Sequence, residues 1–471
     1  MPEQVCLSSK QRPGVACLGV WPGPGVGHQR EYVGFLGLEL GETHRPNGGF
    51  EQTVQQVGRW FFFAFGHGFR IPWASRFVSS SWCPMDASHW TSHLQDPWPA
   101  PFWVPEPGCA SSIWMAHAHH LFPELKDALA ATPQDAVYHA EGDVWTHTVM
   151  VVDALLALPA YAALSVPERG IAFYAALLHD IAKPSTTRHD EGRIIAPGHS
   201  KRGAIDARIA LWKLSAPFFL REQVCRIIEA HQIPFFAFHS KSGLSAEFLA
   251  TELSMDRSMK LLCLVSQADM RGRVFAGMNN ALEDIALFEQ LCRELGCWET
   301  PRAFPDAATR RAYLKDKGAR DPNTPVFDAR QFEVIMLSAL PASGKDTLAS
   351  TMGLPVLSFD QVRTDLGLSH GQQPGKVVAI VEEKMRELLR QKKSFVINAT
   401  HLSQQIRTRT LDLLEAYGAR TKIVYLEEPI QVLLSRNKTR GSSLSNTKLL
   451  GMLSHWEVPG LTEVDTLEFR L

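Results

Sequence analysis

The hydrophobic pattern of this 471-residue chain changes near residue 300, and that change restricts the fold more than any other feature. Upstream, from Ala116 to about Cys297, apolar residues recur at helical spacing, as in Trp145–Leu158. Downstream, short apolar runs such as Val334–Ser338 and Lys422–Leu426 alternate with helical segments. Because this alternation is typical of a parallel sheet, the sequence predicts an all-α domain followed by an α/β domain.

The length also indicates several domains, since 471 residues exceed what one hydrophobic core normally organises. We place the helical domain at residues 115–299, a linker rich in charge and proline at 300–329, and the α/β domain at 330–471. Residues 1–114 hold eight of the twelve tryptophans but show no sustained period. We expect this extension to be irregular, disordered or a mis-assigned start ahead of Met115, with a divergent accessory domain as the alternative.

The composition limits the kinds of partner and the cellular location that we expect for this chain. The net charge of −1 argues against a broad cationic surface for long nucleic acid, so a nucleic-acid substrate would be held at a terminus. No apolar run reaches the roughly 18 residues of a membrane span, and Met1–Gly25 lacks a signal pattern. We therefore expect a cytoplasmic protein with no membrane partner. The eight cysteines show no metal-type spacing and are expected to be unpaired thiols.

The helical domain carries a series of histidines and aspartates on or beside successive helices: His147, His179, Asp180, His199, His231 and Asp269. Singly, each is more often a satisfied core or surface residue. Together, neutral imidazole and carboxylate form a donor set suited to Mn, Fe, Co, Ni or Zn, whereas Mg prefers oxygen ligands. The sequence therefore predicts a transition-metal centre in this domain.

The order of these residues resembles the HD phosphohydrolase superfamily. The resemblance implies two metal sites with these ligands: His147, His179, Asp180 and Asp269 in the first, His199 and His231 in the second. Asp180 would be catalytic, bridging two metals that activate a hydroxide for attack on phosphorus. Lys183 and Arg273 could contact the substrate phosphate, although solvated basic side chains at a helix end and in a loop account for them as well.

The α/β domain begins with a strand, Val334–Ser338, that runs into a glycine–lysine turn and an apolar helix. The turn looks like a Walker A loop, in which Gly344 permits close backbone approach and Lys345 reaches the nucleotide phosphates and acts in catalysis. We predict nucleotide binding by its residues: Pro341, Ala342, Ser343, Gly344, Lys345, Asp346 and Thr347. Ala339 replaces the usual first glycine, and Asp346 replaces the usual Mg²⁺-supporting hydroxyl residue, which leaves a turn without catalysis as the alternative.

A second motif follows the next predicted strand, where Asp360 and Arg363 would face one side of a helix. The pattern resembles polynucleotide kinases and related P-loop kinases, which implies that Asp360 is the general base and that Arg363 binds the acceptor phosphate. A helix N-cap aspartate with a surface arginine is the alternative. Asn398-Ala399-Thr400 resembles the Asp-x-Thr strand end of that family, with Asn398 in place of the aspartate.

Arg436 and Arg440 lie four residues apart ahead of the Gly441-Ser442-Ser443 break. They resemble the lid of such kinases, which implies that Arg436 neutralises charge on the transferring phosphoryl group and that Arg440 contacts the nucleotide. A solvated basic helix end is the alternative.

From Met115 to Leu471 the order of parts resembles bifunctional HD-domain/P-loop polynucleotide kinases, bacterial enzymes that heal RNA or DNA ends. The resemblance implies an HD module that removes a 3′-phosphate or a 2′,3′-cyclic phosphate with a divalent transition metal (Mn, Ni, Co, Fe or Zn). It also implies a P-loop module that phosphorylates a 5′-hydroxyl with ATP or GTP and Mg²⁺. The partners would be RNA or DNA termini, NTP and a ligase acting downstream, and a homodimer stays open.

Two other functions fit the same motifs. An HD nucleotide or metabolite phosphohydrolase fused to a small-molecule kinase is one, because these motifs do not define the acceptor. A nucleotide-sensing regulator with an inactive kinase is the other, because Ala339 and Asp346 depart from the motif. The HD part also resembles the appended domain of tRNA nucleotidyltransferases, but we find no Gly-Ser followed by the paired aspartates of a polymerising module.

Overall fold

The computed structural model describes residues 96–239, 243–369, 371–439 and 444–471, all within one compact unit of the chain. Most of the predicted N-terminal extension, residues 1–95, therefore lies outside the described residues. Among the described helices, none is long and apolar enough to cross a membrane.

The first half of the described chain is helical, which confirms the predicted all-α domain. Its helices are α1 (Ser111–Leu121), α2 (Leu125–Ala130), α3 (Val144–Ala157), α4 (Pro159–Ala162), α5 (Val166–Leu178), α6 (Lys183–Thr186), α7 (His199–Lys213), α8 (Phe218–Ala230), α9 (Ala246–Ser254), α10 (Met259–Arg271) and α11 (Met278–Glu294). A short antiparallel hairpin, β1 (Arg188–Asp190) and β2 (Arg193–Ile195), interrupts them. The sequence did not predict this hairpin, because each of its strands has only three residues.

Helix α5 is the centre of this domain. Its sequence is apolar on nearly every face, and every residue from Gly170 to Leu178 is buried, as expected for a helix surrounded by others. A capping box between Ser165 and Glu168 starts the helix, with Pro167 in its first turn. The helix thus fixes the position of the His179-Asp180 pair that follows it.

Residues ahead of Met115 also pack on this domain. The Trp98 indole nitrogen donates to the Pro167 carbonyl at 3.1 Å, and its ring lies against Gly170, where a Cβ atom would come within 2.2 Å of it. The rings of Phe102 and Tyr174 meet edge to face at 5.4 Å. The packed helical domain therefore begins before residue 115.

The second half confirms the predicted α/β domain. Five strands, β3 (Glu333–Ala339), β4 (Val356–Ser358), β5 (Phe395–Asn398), β6 (Arg420–Leu426) and β7 (Thr466–Arg470), form one parallel sheet in the order β4-β5-β3-β6-β7. The helices are α12 (Ala307–Lys315), α13 (Lys345–Thr351), α14 (Phe359–Asp365), α15 (Pro374–Arg390), α16 (Gln404–Ala416), α17 (Ile430–Thr439) and α18 (Asn446–Gly451). Strand β3 lies at the centre, so the loop that follows it opens at the carboxyl edge of the sheet, where ligands of such sheets bind.

The two domains share an apolar contact. Trp212 of α7 and Phe218 of α8 pack with Tyr425, Trp456 and Phe469 of the α/β domain. The ring centroids of Trp212 and Trp456 lie 5.0 Å apart, and those of Phe218 and Phe469 lie 4.9 Å apart. Because α7 begins at His199 and α8 ends just before His231, the helices that form this contact also carry two predicted metal ligands.

Candidate functional site

The structure brings all six predicted metal ligands of the helical domain together. Each lies on or beside a helix and is buried: His147 in α3, His179 and Asp180 after α5, His199 at the start of α7, His231 after α8, and Asp269 in α10. The ring centroid of His179 lies 5.2 Å from that of His147 and 5.3 Å from that of His231. Residues that span 123 positions of sequence, from 147 to 269, therefore form one cluster.

Each of the four imidazoles is oriented by a backbone carbonyl. The Nδ1 atoms of His179, His199 and His231 lie 2.7–2.8 Å from the carbonyl oxygens three residues earlier. The Nδ1 atom of His147 lies 3.1 Å from the carbonyl of Gly272. Since a carbonyl only accepts, Nδ1 carries the proton and Nε2 of the neutral ring has a free lone pair. This is the tautomer that a metal ligand bound through Nε2 requires.

The donor atoms divide into two adjacent groups, His147/His179/Asp269 and Asp180/His199/His231, each with its ligand atoms within 4.8 Å of one another. In the first group, His147 Nε2 lies 3.1 Å from Asp269 Oδ1 and 3.3 Å from His179 Nε2.

Asp180 lies between the groups, because its Oδ2 is 3.1 Å from His179 and its Oδ1 is 3.5 Å from His199. The two oxygens of Asp180 therefore lie next to ligand atoms of both groups.

Two buried polar atoms of the cluster, Asp180 Oδ1 and His231 Nε2, lack a hydrogen-bond partner among the described residues. Buried polar atoms without a hydrogen bond are costly, and a bound cation is one way to satisfy them. The donor set of imidazole and carboxylate fits a divalent transition metal. The residues therefore could hold such a metal, or two.

Neighbouring groups keep the two carboxylates of the cluster ionised, although the same carboxylates raise the pKa of His179. Burial would raise the pKa of Asp180, but His179 and Lys183 hold it well below its usual value. Burial likewise opposes the charge of Asp269, yet Arg273 and His147 keep its pKa well below the usual range. Burial lowers the pKa of His231 to about 3. Both carboxylates are thus ionised at neutral pH and the His231 ring is neutral, as metal binding requires.

The two predicted phosphate contacts pair with these carboxylates. Lys183 Nζ lies 2.8 Å from Asp180 Oδ2 and donates to Gln134 at 2.6 Å. Arg273 donates two hydrogen bonds to Asp269, at 3.0 and 2.6 Å. Both cations therefore border the cluster of predicted ligands.

A further carboxylate, Glu141, lies behind His147 and was not among the residues predicted from the sequence. Glu141 Oε1 lies 3.0 Å from His147 Nδ1 and 2.7 Å from His139 Nδ1, and the other oxygen accepts from the backbone of Val274 at 2.9 Å. Burial opposes its charge, but the two imidazoles lower its pKa below the usual value. A carboxylate in this position fixes the ring and raises its basicity as a ligand.

The phosphate-binding loop follows β3 as predicted. Ala342 and Gly344 adopt left-handed backbone angles, with φ of 66° and 93°, and the Lys345 ammonium donates to the Leu340 carbonyl at 2.8 Å. Ser343 is buried, and its hydroxyl has no hydrogen-bond partner among the described residues. A positive φ at a residue other than glycine is strained and is common at ligand sites.

Asp346 and Thr347 lie in the first turn of α13 and are exposed. Asn398, the last residue of β5, donates a hydrogen bond from Nδ2 to Asp346 Oδ1 at 2.7 Å. Pro341, earlier in the same loop, is buried. Asn398, which replaces the aspartate of the kinase pattern, thus contacts Asp346, which replaces the hydroxyl residue of the Walker A pattern.

Asp360 and Arg363 lie on α14 at the carboxyl end of β4, and they form an ion pair. The Asp360 side chain is 76% exposed, and that of Arg363 is 22% exposed. The pair is therefore accessible at the same sheet edge as the phosphate-binding loop, because Ser358 of β4 pairs with Asn398.

Of the two predicted lid arginines, Arg436 lies on α17 and its Nη1 donates to Glu428 at 2.7 Å. Arg440 lies outside the described residues. Arg407, which follows the Asn398 motif, is buried and binds Glu463 at 2.7 and 2.9 Å and three backbone carbonyls. Arg407 therefore holds the residues that follow β5 against the segment that contains Glu457 and Glu463.

Comparison with known families agrees with this geometry. Residues 144–269 match the model of the HD domain, and residues 334–459 match the model of an AAA domain. The chain carries an HD domain followed by a P-loop kinase-like domain. The predicted order of the two modules is thereby confirmed.

Curated relatives include several multifunctional CCA proteins. The protein of Halorhodospira halophila is 35% identical over 127 residues, which are 27% of this chain and 28% of the relative. That of Neisseria gonorrhoeae is 40% identical over 114 residues, 22% of this chain and 24% of the relative. That of Paracidovorax citrulli is 29% identical over 208 residues, 43% and 44% of the two chains. The chain thus spans less than half the length of each of these relatives.

Proposed function

We propose that the protein heals nucleic-acid ends, with the HD domain removing a 3′-phosphate or 2′,3′-cyclic phosphate and the P-loop domain phosphorylating a 5′-hydroxyl. The observation that carries the proposal is the pairing of a six-residue histidine and aspartate cluster with a phosphate-binding loop in one compact unit. One module is suited to releasing phosphate and the other to transferring it. A strand with two damaged ends requires both reactions.

In the HD domain, a divalent transition metal would be held by the cluster and would supply an activated hydroxide and a Lewis acid. The protein's own contribution is orientation. The carbonyl contacts of the four imidazoles and the contact of Glu141 with His147 hold every Nε2 toward the cluster. Lys183 and Arg273 would bind the non-bridging oxygens of the phosphate after leaving their carboxylate partners.

In the P-loop domain, Lys345 and the loop from Pro341 to Thr347 would bind the nucleotide phosphates. Asp360 would accept the proton of the attacking hydroxyl, and Arg363 would bind the phosphate next to it on the acceptor. The exposed position of Asp360 leaves it accessible to a polymer end. Arg436 would neutralise charge on the transferring phosphoryl group, and Arg440 would contact the nucleotide.

The test uses the full chain and an RNA oligonucleotide that carries a 5′-hydroxyl and a 2′,3′-cyclic phosphate, with ATP or GTP, Mg²⁺ and either Mn²⁺ or Ni²⁺. Gain of a 5′-phosphate and loss of the cyclic phosphate are expected. Lys345→Ala should abolish only the first, and Asp180→Ala only the second. Loss of both activities in each folded variant would refute two separate sites.

The acceptor is tested separately, with a DNA oligonucleotide that bears a 3′-phosphate and with free nucleosides. Preference for nucleosides over both oligonucleotides would refute end healing in favour of a small-molecule kinase. Tight nucleotide binding without turnover on any acceptor would instead identify a nucleotide sensor.

A further inference from the structure

The contact between Asp346 and Asn398 joins the two positions at which the P-loop domain departs from its usual residues. Asp346 follows Lys345, where a P-loop normally has serine or threonine. Asn398 ends β5, a strand next to β3, and the amide donates to the carboxylate at 2.7 Å. In P-loop enzymes Mg²⁺ is held by the loop hydroxyl together with an aspartate from a neighbouring segment.

The two departures compensate for each other in charge. The usual pair offers one carboxylate and one neutral oxygen, and Asp346 with Asn398 offers the same two groups in exchanged positions. A loop carboxylate beside a strand aspartate would place two negative charges at hydrogen-bond distance, which costs free energy. The asparagine avoids this repulsion and still has an amide oxygen, a ligand type that hard cations accept.

The exposure of Asp346 and the burial of Asn398 are consistent with a pair that faces a bound metal ion. Asp346 is exposed at the start of α13, whereas Asn398 is only 7% exposed and is held by the strand. The hydroxyl of Ser343, in the same loop as Asp346, is buried and lacks a partner among the described residues. A carboxylate that served only to stabilise the helix would not need a buried amide partner on a neighbouring strand.

We infer that Asp346 and Asn398 act as an exchanged pair that binds the Mg²⁺ of the nucleotide, with the carboxylate supplied by the loop and the neutral oxygen by the strand. This inference rests on the proposed nucleotide-dependent activity of the P-loop domain. It implies that the carboxylate can be supplied by strand β5 instead of by the loop. Asp346→Ser alone removes the carboxylate from the loop, and adding Asn398→Asp provides one at the end of β5.

The test measures binding of a fluorescent ATP analogue to the full chain, with and without added Mg²⁺. Asp346→Ser is expected to reduce the Mg²⁺-dependent gain in affinity on the order of 10- to 100-fold. Its metal-free affinity should stay the same or rise, because a negative charge near the phosphates is lost. The double variant Asp346→Ser/Asn398→Asp should recover most of the Mg²⁺-dependent gain. Asp412→Asn, an exposed carboxylate on α16, serves as the charge control.

Unchanged Mg²⁺ dependence in Asp346→Ser would overturn the inference while leaving nucleotide binding intact. Failure of the folded double variant to recover would overturn it as well, and Asp346→Asn provides a test that does not depend on the second substitution. If the native chain binds no nucleotide under either condition, the proposed kinase function fails together with the inference. Thermal melting of each variant separates these outcomes from misfolding.

Discussion

Arg221 of α8 and Glu427, which follows β6, form a buried ion pair between the two domains. The two guanidinium nitrogens Nη1 and Nη2 donate to the two carboxylate oxygens at 2.6 and 2.8 Å. Arg221 also donates to Glu222 at 2.8 Å, and Glu222 accepts from Arg208. Because α8 leads to His231 and Glu427 precedes the helix of Arg436, the pair connects the segments that carry a metal ligand and a lid residue.

Removing one partner of this pair should cost far more than removing a surface charge. We expect Glu427→Gln to lower the free energy of unfolding by about 3 kcal/mol, because the buried Arg221 guanidinium loses two hydrogen bonds to a carboxylate and keeps only Glu222 as a charged partner. Arg390→Gln breaks the pair with Glu383, in which both side chains are more than half exposed, and should cost much less because solvent screens an exposed ion pair. Urea unfolding of both variants tests the difference. Equal losses would show that the interdomain pair contributes no more than a surface pair.

The division of the cluster into two groups predicts the metal content. Loaded with Mn²⁺ or Ni²⁺, the protein should hold two ions per chain, and His231→Ala should hold close to one, because only the Asp180/His199 group loses a ligand. His189→Ala, an exposed histidine of the β1–β2 hairpin, should leave the content unchanged. Elemental analysis after gel filtration measures both. Two ions retained by His231→Ala would contradict this assignment of ligands.

Glu141 should affect metal binding without contacting the metal. Its carboxylate lies 3.0 Å from His147 Nδ1, so Glu141→Gln should weaken metal affinity by roughly 10- to 100-fold while the stoichiometry stays the same. Asp127→Asn, an exposed carboxylate on α2, is the matched control. Competition with a coloured chelator gives the affinities. A change in stoichiometry would instead place Glu141 among the ligands.

Local patterns predicted the elements well. Helix α3 was predicted at Trp145–Leu158 and occupies Val144–Ala157, because apolar spacing and the Asp143 cap are local signals. The apolar spacing predicts a helix over Glu168–Ile181, but α5 ends at Leu178, since the chain turns at His179-Asp180. Strand β7 (Thr466–Arg470) was missed because Glu468 and Arg470 interrupt its apolar residues, so that it does not form an apolar run like those of the other predicted strands.

The sequence also did not predict the long-range contacts of the histidine and aspartate cluster and of the phosphate-binding loop. The residues of the cluster could be listed from their order and chemistry, but Glu141 reaches Val274 across 133 positions. Likewise, Asn398 looked only like a departure from a motif until its contact with Asp346, 52 positions away, became apparent. Such contacts depend on how helices and strands pack, which no local period encodes.

His401 gives the P-loop domain a pH-dependent stability. It is buried behind the loop, with Nδ1 3.0 Å from the Leu337 carbonyl, and burial lowers its pKa to about 4. Below the usual histidine pKa of about 6.5 the unfolded chain binds a proton that the folded chain does not. Stability should therefore fall as the pH drops from about 6.5 to 4.

The size of this effect can be isolated by substitution. A pKa difference of about 2.5 units corresponds to about 3 kcal/mol lost across that pH range. His401→Asn should remove this part of the pH dependence, and asparagine tolerates the left-handed backbone at this position, where φ is 43°. His455→Asn is the matched control, because that histidine is exposed. Burial also lowers the pKa values of His139 and His231, and these two histidines are present in both proteins. The test is therefore the loss of stability between pH 7 and pH 4.5, compared between the native protein and His401→Asn by their unfolding curves. Parallel curves would mean that the folded protein accommodates a charged His401.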